Sequence, residues 1–547
     1  MKLLQITAAV ALIAWSLSSC TKTTNNNNGG LSYGITGIEP QFAGAGDTID
    51  VYGVGFAASA TGNMLTVNGV QATIVKATPE DLTIVVPTAP KQGNVQVKTG
   101  SQSFTYTGPF VLGAVVTGSQ SKSVTWTANN LYIIKGKVEF QKGATLTVQP
   151  GTTILCDRDT LASLIIDDGA SVSMNGTPQQ PIVFTSIMPE KLRFPGDWGG
   201  IMLSASTAAG TDSISYVRIE YAGNHIPNLP GAALEIDRSE PAGNIHHVQT
   251  SYSGSDGFRS AGNGTIYLQY LVAFGDAGND FSFLGAVRAF GQFFLGLKDP
   301  QFADQLGADG LLVQSTQPVT LSNISLVGYD GIGRNCITTS YYDYSVPDYA
   351  IDANAGRGIH VSGAGTLQLF NSMVAASWLA GISLDGPAAW NAYENGGTVV
   401  RQTSFTFPVS AGDPGYNKSL TIPYSGFAFS SENISGPYSG FERTENSAQY
   451  AAFTTYNDTT PLKLKVLSTG QPITDGLGIH NMADSLHLNA PLLTIQTGSP
   501  LLMGQDYGDA RLADPFFDRT AAFRGAFGPA DWTSGWASFA PELSPYE

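Results

Sequence analysis

Short alternating runs dominate the chain, and they predict strands almost everywhere. Between Tyr33 and Leu112, examples are Thr48-Ile49-Asp50-Val51-Tyr52, Leu65-Thr66-Val67, Leu82-Thr83-Ile84-Val85-Val86 and Val95-Gln96-Val97. Gly and Pro turns separate them every 8–12 residues or so, the rhythm of a small β-sandwich. From about Gly113 a different pattern recurs: a small or polar residue, then apolar-x-apolar. It appears at Gly200-Ile201-Met202-Leu203, Ala233-Leu234-Glu235-Ile236, Gly257-Phe258, Asp280-Phe281-Ser282-Phe283, Gly310-Leu311-Leu312-Val313, Gly358-Ile359-His360-Val361 and Gly381-Ile382-Ser383-Leu384. Successive first apolar positions are 33, 24, 23, 30, 48 and 23 residues apart. A base unit near 23–24 residues, with 48 as a double step, fits stacked rungs that carry insertions. A second alternating strand keeps the same rhythm at 216–221, 247–252, 270–274, 324–327 and 372–375.

Helical periodicity is nearly absent, so the connection between parallel strands must be the turn of the coil itself. One rung cannot bury its own inner face, whereas a stack builds a continuous apolar column. A propeller would need blades of about 40–45 residues, which a 23-residue step does not fit. The dense aromatics at Pro515-Phe516-Phe517, Phe523-Arg524-Gly525-Ala526-Phe527 and Trp532 to Phe539 are expected to cap the last rung.

Two family resemblances sharpen the architecture. Ile38-Glu39-Pro40, Gly44, Gly46-Asp47-Thr48, Gly53-Val54-Gly55-Phe56 and the later Val67-Asn68-Gly69 resemble an IPT/TIG module, an immunoglobulin-like domain that usually serves as a spacer. The rungs resemble a right-handed parallel β-helix. Phrases such as Pro195-Gly196-Asp197-Trp198-Gly199-Gly200-Ile201 and Asp276-Ala277-Gly278-Asn279-Asp280-Phe281 are similar to Bacteroidetes secreted β-helix lipoproteins of no settled activity. The expected fold is therefore all-β, a small Ig-like sandwich at 33–112 followed by a right-handed parallel β-helix with its cap at 113–547.

The first residues read as an address. Lys2 and the apolar stretch Leu3 to Leu17 are too short for a membrane span, which needs about 20 residues. Leu17-Ser18-Ser19-Cys20 resembles a bacterial lipobox, which implies a signal peptide at 1–19 and a lipid on Cys20. Residues 20–32, rich in Asn and Thr, form a polar tether. By that resemblance the protein is anchored in the outer membrane, with the leaflet open.

Composition narrows the partners. With 27 Lys+Arg against 43 Asp+Glu and a net charge of −16, the chain lacks the basic surface that nucleic acids require. Cys156 and Cys336 are several rungs apart, so they are expected as separate buried thiols.

Candidate chemistry is sparse. A 24-residue spacing stacks Asp256 near Asp280, as a glycosidase pair would require, although Asp is also an ordinary turn former. Arg259, Arg288 and Lys298 lie nearby with no evident partners. Asp299, Asp304 and Asp309 recur at a five-residue step that could offer oxygens to calcium, or form a solvated acidic loop. Tyr341, Tyr342, Tyr344 and Tyr349 crowd the stretch inside the long step, where ring faces and hydroxyls suit a sugar. Their plain alternative is a loop folded back onto the coil. His246 and His247, as strand neighbours, are expected to point to opposite sides. The reading is an envelope scaffold that binds a glycan or another envelope protein without catalysis. Alternatives are a polysaccharide lyase or glycoside hydrolase acting on an acidic polysaccharide, and a purely structural surface protein.

Overall fold

The computed structural model describes residues 33–88, 94–108, 110–190, 192–206, 212–224, 230–298, 308–328, 357–375, 382–406 and 500–546, with short pieces at 455–456, 464–465, 472–473 and 493–495. Cys20, Cys336, Asp299, Asp304, Tyr341, Tyr342, Tyr344 and Tyr349 lie outside them.

The N-terminal sandwich has two four-stranded sheets. Their inner faces meet through Ile49, Val51, Leu65, Val67, Leu82, Ile84, Val95 and Val97, all buried at alternate positions along their strands. Its last strand, Val111–Leu112, pairs in parallel with Phe42–Ala43. Phe42 and Val111 also pack against Leu131, Ile133 and Leu155 of the first rungs, so the sandwich is seated directly on the coil.

From Ala114 a single 26-strand sheet winds as a parallel β-helix. Its strands fall into three stacks, here called the front, side and back sheets. The front sheet stacks Ser163–Ile166, Gly200–Leu203, Ala232–Ile236, Asp256–Ser260, Phe281–Phe283, Leu311–Val313, Ile359–Ser362 and Ile382–Asp385. Its inner row, Leu234, Phe258, Phe281, Leu311, Ile359 and Ile382, belongs to one apolar column with the inner rows of the other sheets. The apolar repeat read from the sequence is this row. One step needs correction: Leu311 pairs directly with Ile359, so the 48-residue step is a single rung with a long insertion, not two rungs.

Side and back sheets share several strands that bend within one residue. In Ser213–Glu220, Ile214 and Ser215 belong to the side sheet and Val217 onward to the back sheet. The residue at the bend, Tyr216, has φ 53°, and its successors on later rungs are His247, Tyr270, Phe293, Asn323, Asn371 and Gln402, all left-handed. That conformation costs a non-glycine residue about 1–2 kcal/mol. Stacking offsets it: Tyr216 on His247 at 4.5 Å, His247 on Tyr270 at 4.4 Å, and Tyr270 on Phe293 at 4.8 Å between ring centres. His247 is thus a corner residue, and the strict alternation expected for His246 and His247 fails there. Their Nδ1 atoms instead lie 2.8 Å apart.

The C-terminal aromatics do not cap the last rung. Residues 500–546 run back along the coil as a strap over the side–back corner and the back sheet. Asp506 meets Asn371, Asp518 meets Gln292, Trp532 packs on Tyr270, Trp536 on Tyr216, and Tyr546 reaches Glu220. Outward residues of the back sheet, Val272, Phe274, Leu295, Leu297 and Val327, form a second apolar cluster with Ala526, Phe527, Trp536 and Phe539 of the strap. Register is set by amides. Gln249, Gln292 and Asn371 each donate to a strap carbonyl and accept the N–H of the same residue, at Ser538, Asp518 and Asp506. A side-chain amide with both groups engaged imitates a strand partner, so an irregular segment keeps its backbone satisfied.

Candidate functional site

The front sheet carries the candidate site. Its outward row runs Met202, Glu235, Arg259, Ser282, Leu312, His360 and Ser383, one residue per rung in direct register. Beside it, at the back-to-front corner, each rung reaches the next through a polar side chain. Asp256 accepts the N–H and the Nδ2 of Asn279, both at 3.0 Å. Asn279 accepts the N–H of Asp309 at 2.8 Å, and Asp309 accepts the N–H of Arg357 at 2.6 Å. These turn residues therefore supply the main-chain partners that the corner lacks.

The ladder ends in a small constellation. Asp309 Oδ2 lies 2.7 Å from His360 Nδ1, and His360 Nε2 lies 3.4 Å from Asp385 Oδ2. Arg357 stands 3.9 Å from Asp309. The side chains of Arg357, His360 and Asp385 are 14–15% exposed, so they are sheltered but within reach of solvent. One rung group further back, Arg259 faces Glu235 at 3.8 Å, and Glu235 accepts the N–H of Gly231 at 2.6 Å. Burial raises Glu235 above the usual carboxylate range, opposed by that N–H and by the Arg259 guanidinium. Burial likewise raises Asp256.

Behind the ladder the corner is dry. Asp276, Asp280 and Lys298 are 0% exposed. Lys298 Nζ lies 2.9 Å from Asp280 Oδ1. Asp256 and Asp280 thus do not flank an open groove: Asp256 binds Asn279, and Asp280 is sealed against Lys298. Arg259 and Lys298, expected without partners, face Glu235 and Asp280. Asp309 has both oxygens engaged, by Arg357 and His360. No group of three or more candidate ligands suited to a metal occurs among the described residues. Cys156 is buried and free, and burial raises its thiol well above the usual range.

The expected Tyr cluster falls in sequence between the strands ending at Val327 and starting at Ile359, and Asp299 and Asp304 fall between Lys298 and Ala308. Glu235, Asn279, Arg357, His360 and Asp385 were not singled out by sequence reasoning. Treating the 48-residue step as one rung would have placed His360 on the row of Arg259 and Glu235.

The family models agree with this architecture. A family model for the IPT/TIG domain matches residues 34–111, and one for the pectate-lyase-like β-helix domain matches residues 118–213. Among solved structures, an auxiliary nutrient binding protein from Bacteroides ovatus is 20% identical, with a TM-score of 0.15 over 15% of this chain and 21% of that one. A protein of the same description from Bacteroides thetaiotaomicron is 21% identical, TM-score 0.14, over 15% and 20%. This chain thus spans about a fifth of those structures. A family 28 exopolygalacturonase from Yersinia enterocolitica is 8% identical, TM-score 0.17, over 67% of this chain and 95% of that one. No curated protein matches the chain.

Proposed function

We propose that this protein is an envelope lipoprotein, anchored through a lipid on Cys20, whose front sheet holds a glycan without cleaving it. The observation that carries the reading is the contrast between walls. The strap covers the apolar back sheet, whereas the outward row of the front sheet carries Glu235 and Arg259 on adjacent rungs and His360 three rungs on, with Ser282 buried and Leu312 between them. Glu235 and Arg259 set an acceptor beside a donor at the strand spacing of about 4.8 Å, suited to the hydroxyls of an extended saccharide. The stretches that carry the Tyr cluster and Asp299–Asp304 each lie in sequence between a back-sheet strand and the next front-sheet strand, and insertions in a solenoid commonly collect at its binding face. The sandwich serves as the spacer between membrane and coil.

A second reading, cleavage of an acidic polysaccharide, is favoured by one observation: the His360 ring lies between two carboxylates, an arrangement that can move a proton. One experiment separates the two. The soluble chain from residue 31 is tested against a polysaccharide panel, with and without calcium. Capture of one glycan, lost in Arg259→Ala plus His360→Ala and weakened in Tyr341→Ala plus Tyr342→Ala, supports binding. Shortening of that glycan supports the enzyme. No capture in either buffer overturns both.

A further inference from the structure

The sealed corner behind the ladder points to a covalent modification. Lys298 follows the back-sheet strand Arg288–Leu297, and Asp280 precedes the front-sheet strand Phe281–Phe283. The two residues are therefore the ends of nearly one whole rung. Both side chains are 0% exposed, with Lys298 Nζ 2.9 Å from Asp280 Oδ1. Yet neither Asp280 oxygen has a hydrogen-bond partner of good geometry. Lys298 Nζ donates instead to the carbonyls of Gly278 at 2.6 Å and Asp276 at 3.4 Å. The amine is thus aimed past the carboxylate oxygens while remaining against the group. An ion pair this deep loses much of its Coulomb gain to desolvation, the more so when the carboxylate lacks hydrogen bonds. Moving one proton from the ammonium to the carboxylate removes both charges and leaves an amine facing a carboxyl in a dry pocket.

We propose that Lys298 and Asp280 form an intramolecular isopeptide bond. The amine lone pair attacks Cγ of Asp280, the new C–N bond forms, and the C–O bond to the carboxyl hydroxyl breaks. The hydroxyl leaves with the proton lost from nitrogen as one water, so no oxidant or activating group is consumed. The proton passes from nitrogen to the departing hydroxyl within the pair, while Asp276 closes the same pocket through its main-chain carbonyl on Lys298 Nζ and its carboxyl on Ser253 N–H and Thr250 Oγ1. Burial holds Asp276 at about 7 and Asp280 at about 6, values that keep protons available there near neutrality. The bond closes one rung into a ring and replaces a buried ion pair by an amide.

Mass spectrometry of the purified full chain after unfolding and digestion tests this directly. The expected result is a branched peptide joining Lys298 to Asp280, lighter by one water than its two halves and absent from Lys298→Met and Asp280→Ala. The wild-type chain alone decides the matter even if those variants fail to fold. Linear peptides with an unmodified Lys298 and Asp280 overturn the proposal. So does a water loss confined to a linear peptide around Asp280, which is a cyclised aspartate.

Discussion

The front and back sheets belong to the same coil, share one apolar column and repeat with the same rungs, yet their outer faces are opposites. The back sheet turns Val272, Phe274, Leu295 and Leu297 outward and hides them under residues 500–546. The front sheet turns Glu235, Arg259, Ser282 and His360 outward, and its corner is laced by Asp256, Asn279 and Asp309. A solenoid wall is thus a neutral platform. Its outward row decides whether it becomes a second core or a working surface.

The strongest way to break the contrast is to remove the strap. Truncation before Pro500 uncovers a continuous apolar wall, and patches beyond a few hundred Å² drive association. The truncated chain should then elute as a larger species than the full chain in size-exclusion chromatography. Trp536→Ala is next. Trp536 is buried at 1% exposure between the corner rings and the strap, so its loss should cost about 3–5 kcal/mol in a denaturant melt. Gln292→Ala removes both hydrogen bonds to Asp518 and leaves strap groups unmatched, for about 1–3 kcal/mol.

A smaller effect is a pH slope. Burial, with help from His246, lowers His247 from 6.5 to about 3. The unfolded chain therefore binds the proton first, and this residue's contribution to stability is lost as pH falls from about 6.5 toward about 3. The raised acid Asp276 works in the other direction, its contribution being lost as pH rises through about 7. His247→Phe keeps the stack, since Phe293 already occupies the same corner position two rungs on. It should flatten the acid limb of stability against pH and leave the neutral limb alone. Smallest of all is the front wall: Arg259→Ala should shift stability by less than about 1 kcal/mol, because its partner pair is loose and partly exposed. The same substitution should abolish glycan capture, so a large melt shift there would erase the distinction between the walls.

Local pattern carried the architecture far. The steps from Ile201 to Leu234, Phe258 and Phe281 are the observed registers, because an inner row of a solenoid must be apolar at every rung. The step from Leu311 to Ile359 was misjudged, because nothing local tells an insertion from an added rung. The Asp256–Asp280 pair was legible as neighbours but not as chemistry. Which carboxylate faces solvent and which faces Lys298 depends on how the corner folds between rungs.

What the sequence by itself determined is periodic: the sandwich, the coil, its rung length and its inner column, each dictated by which residues must leave water at regular intervals. What only the tertiary structure decided is the pairing of distant parts. Trp532, Trp536 and Phe539 announce burial but not an address, and residues some 200 to 330 positions away supply it through Asn323, Gln249 and Arg218. His360 likewise becomes part of a site only once the coil sets it between Asp309 and Asp385. Hydrophobic burial acts on every apolar residue alike, whereas a partner is chosen by shape and hydrogen bonds that exist only after the chain has folded.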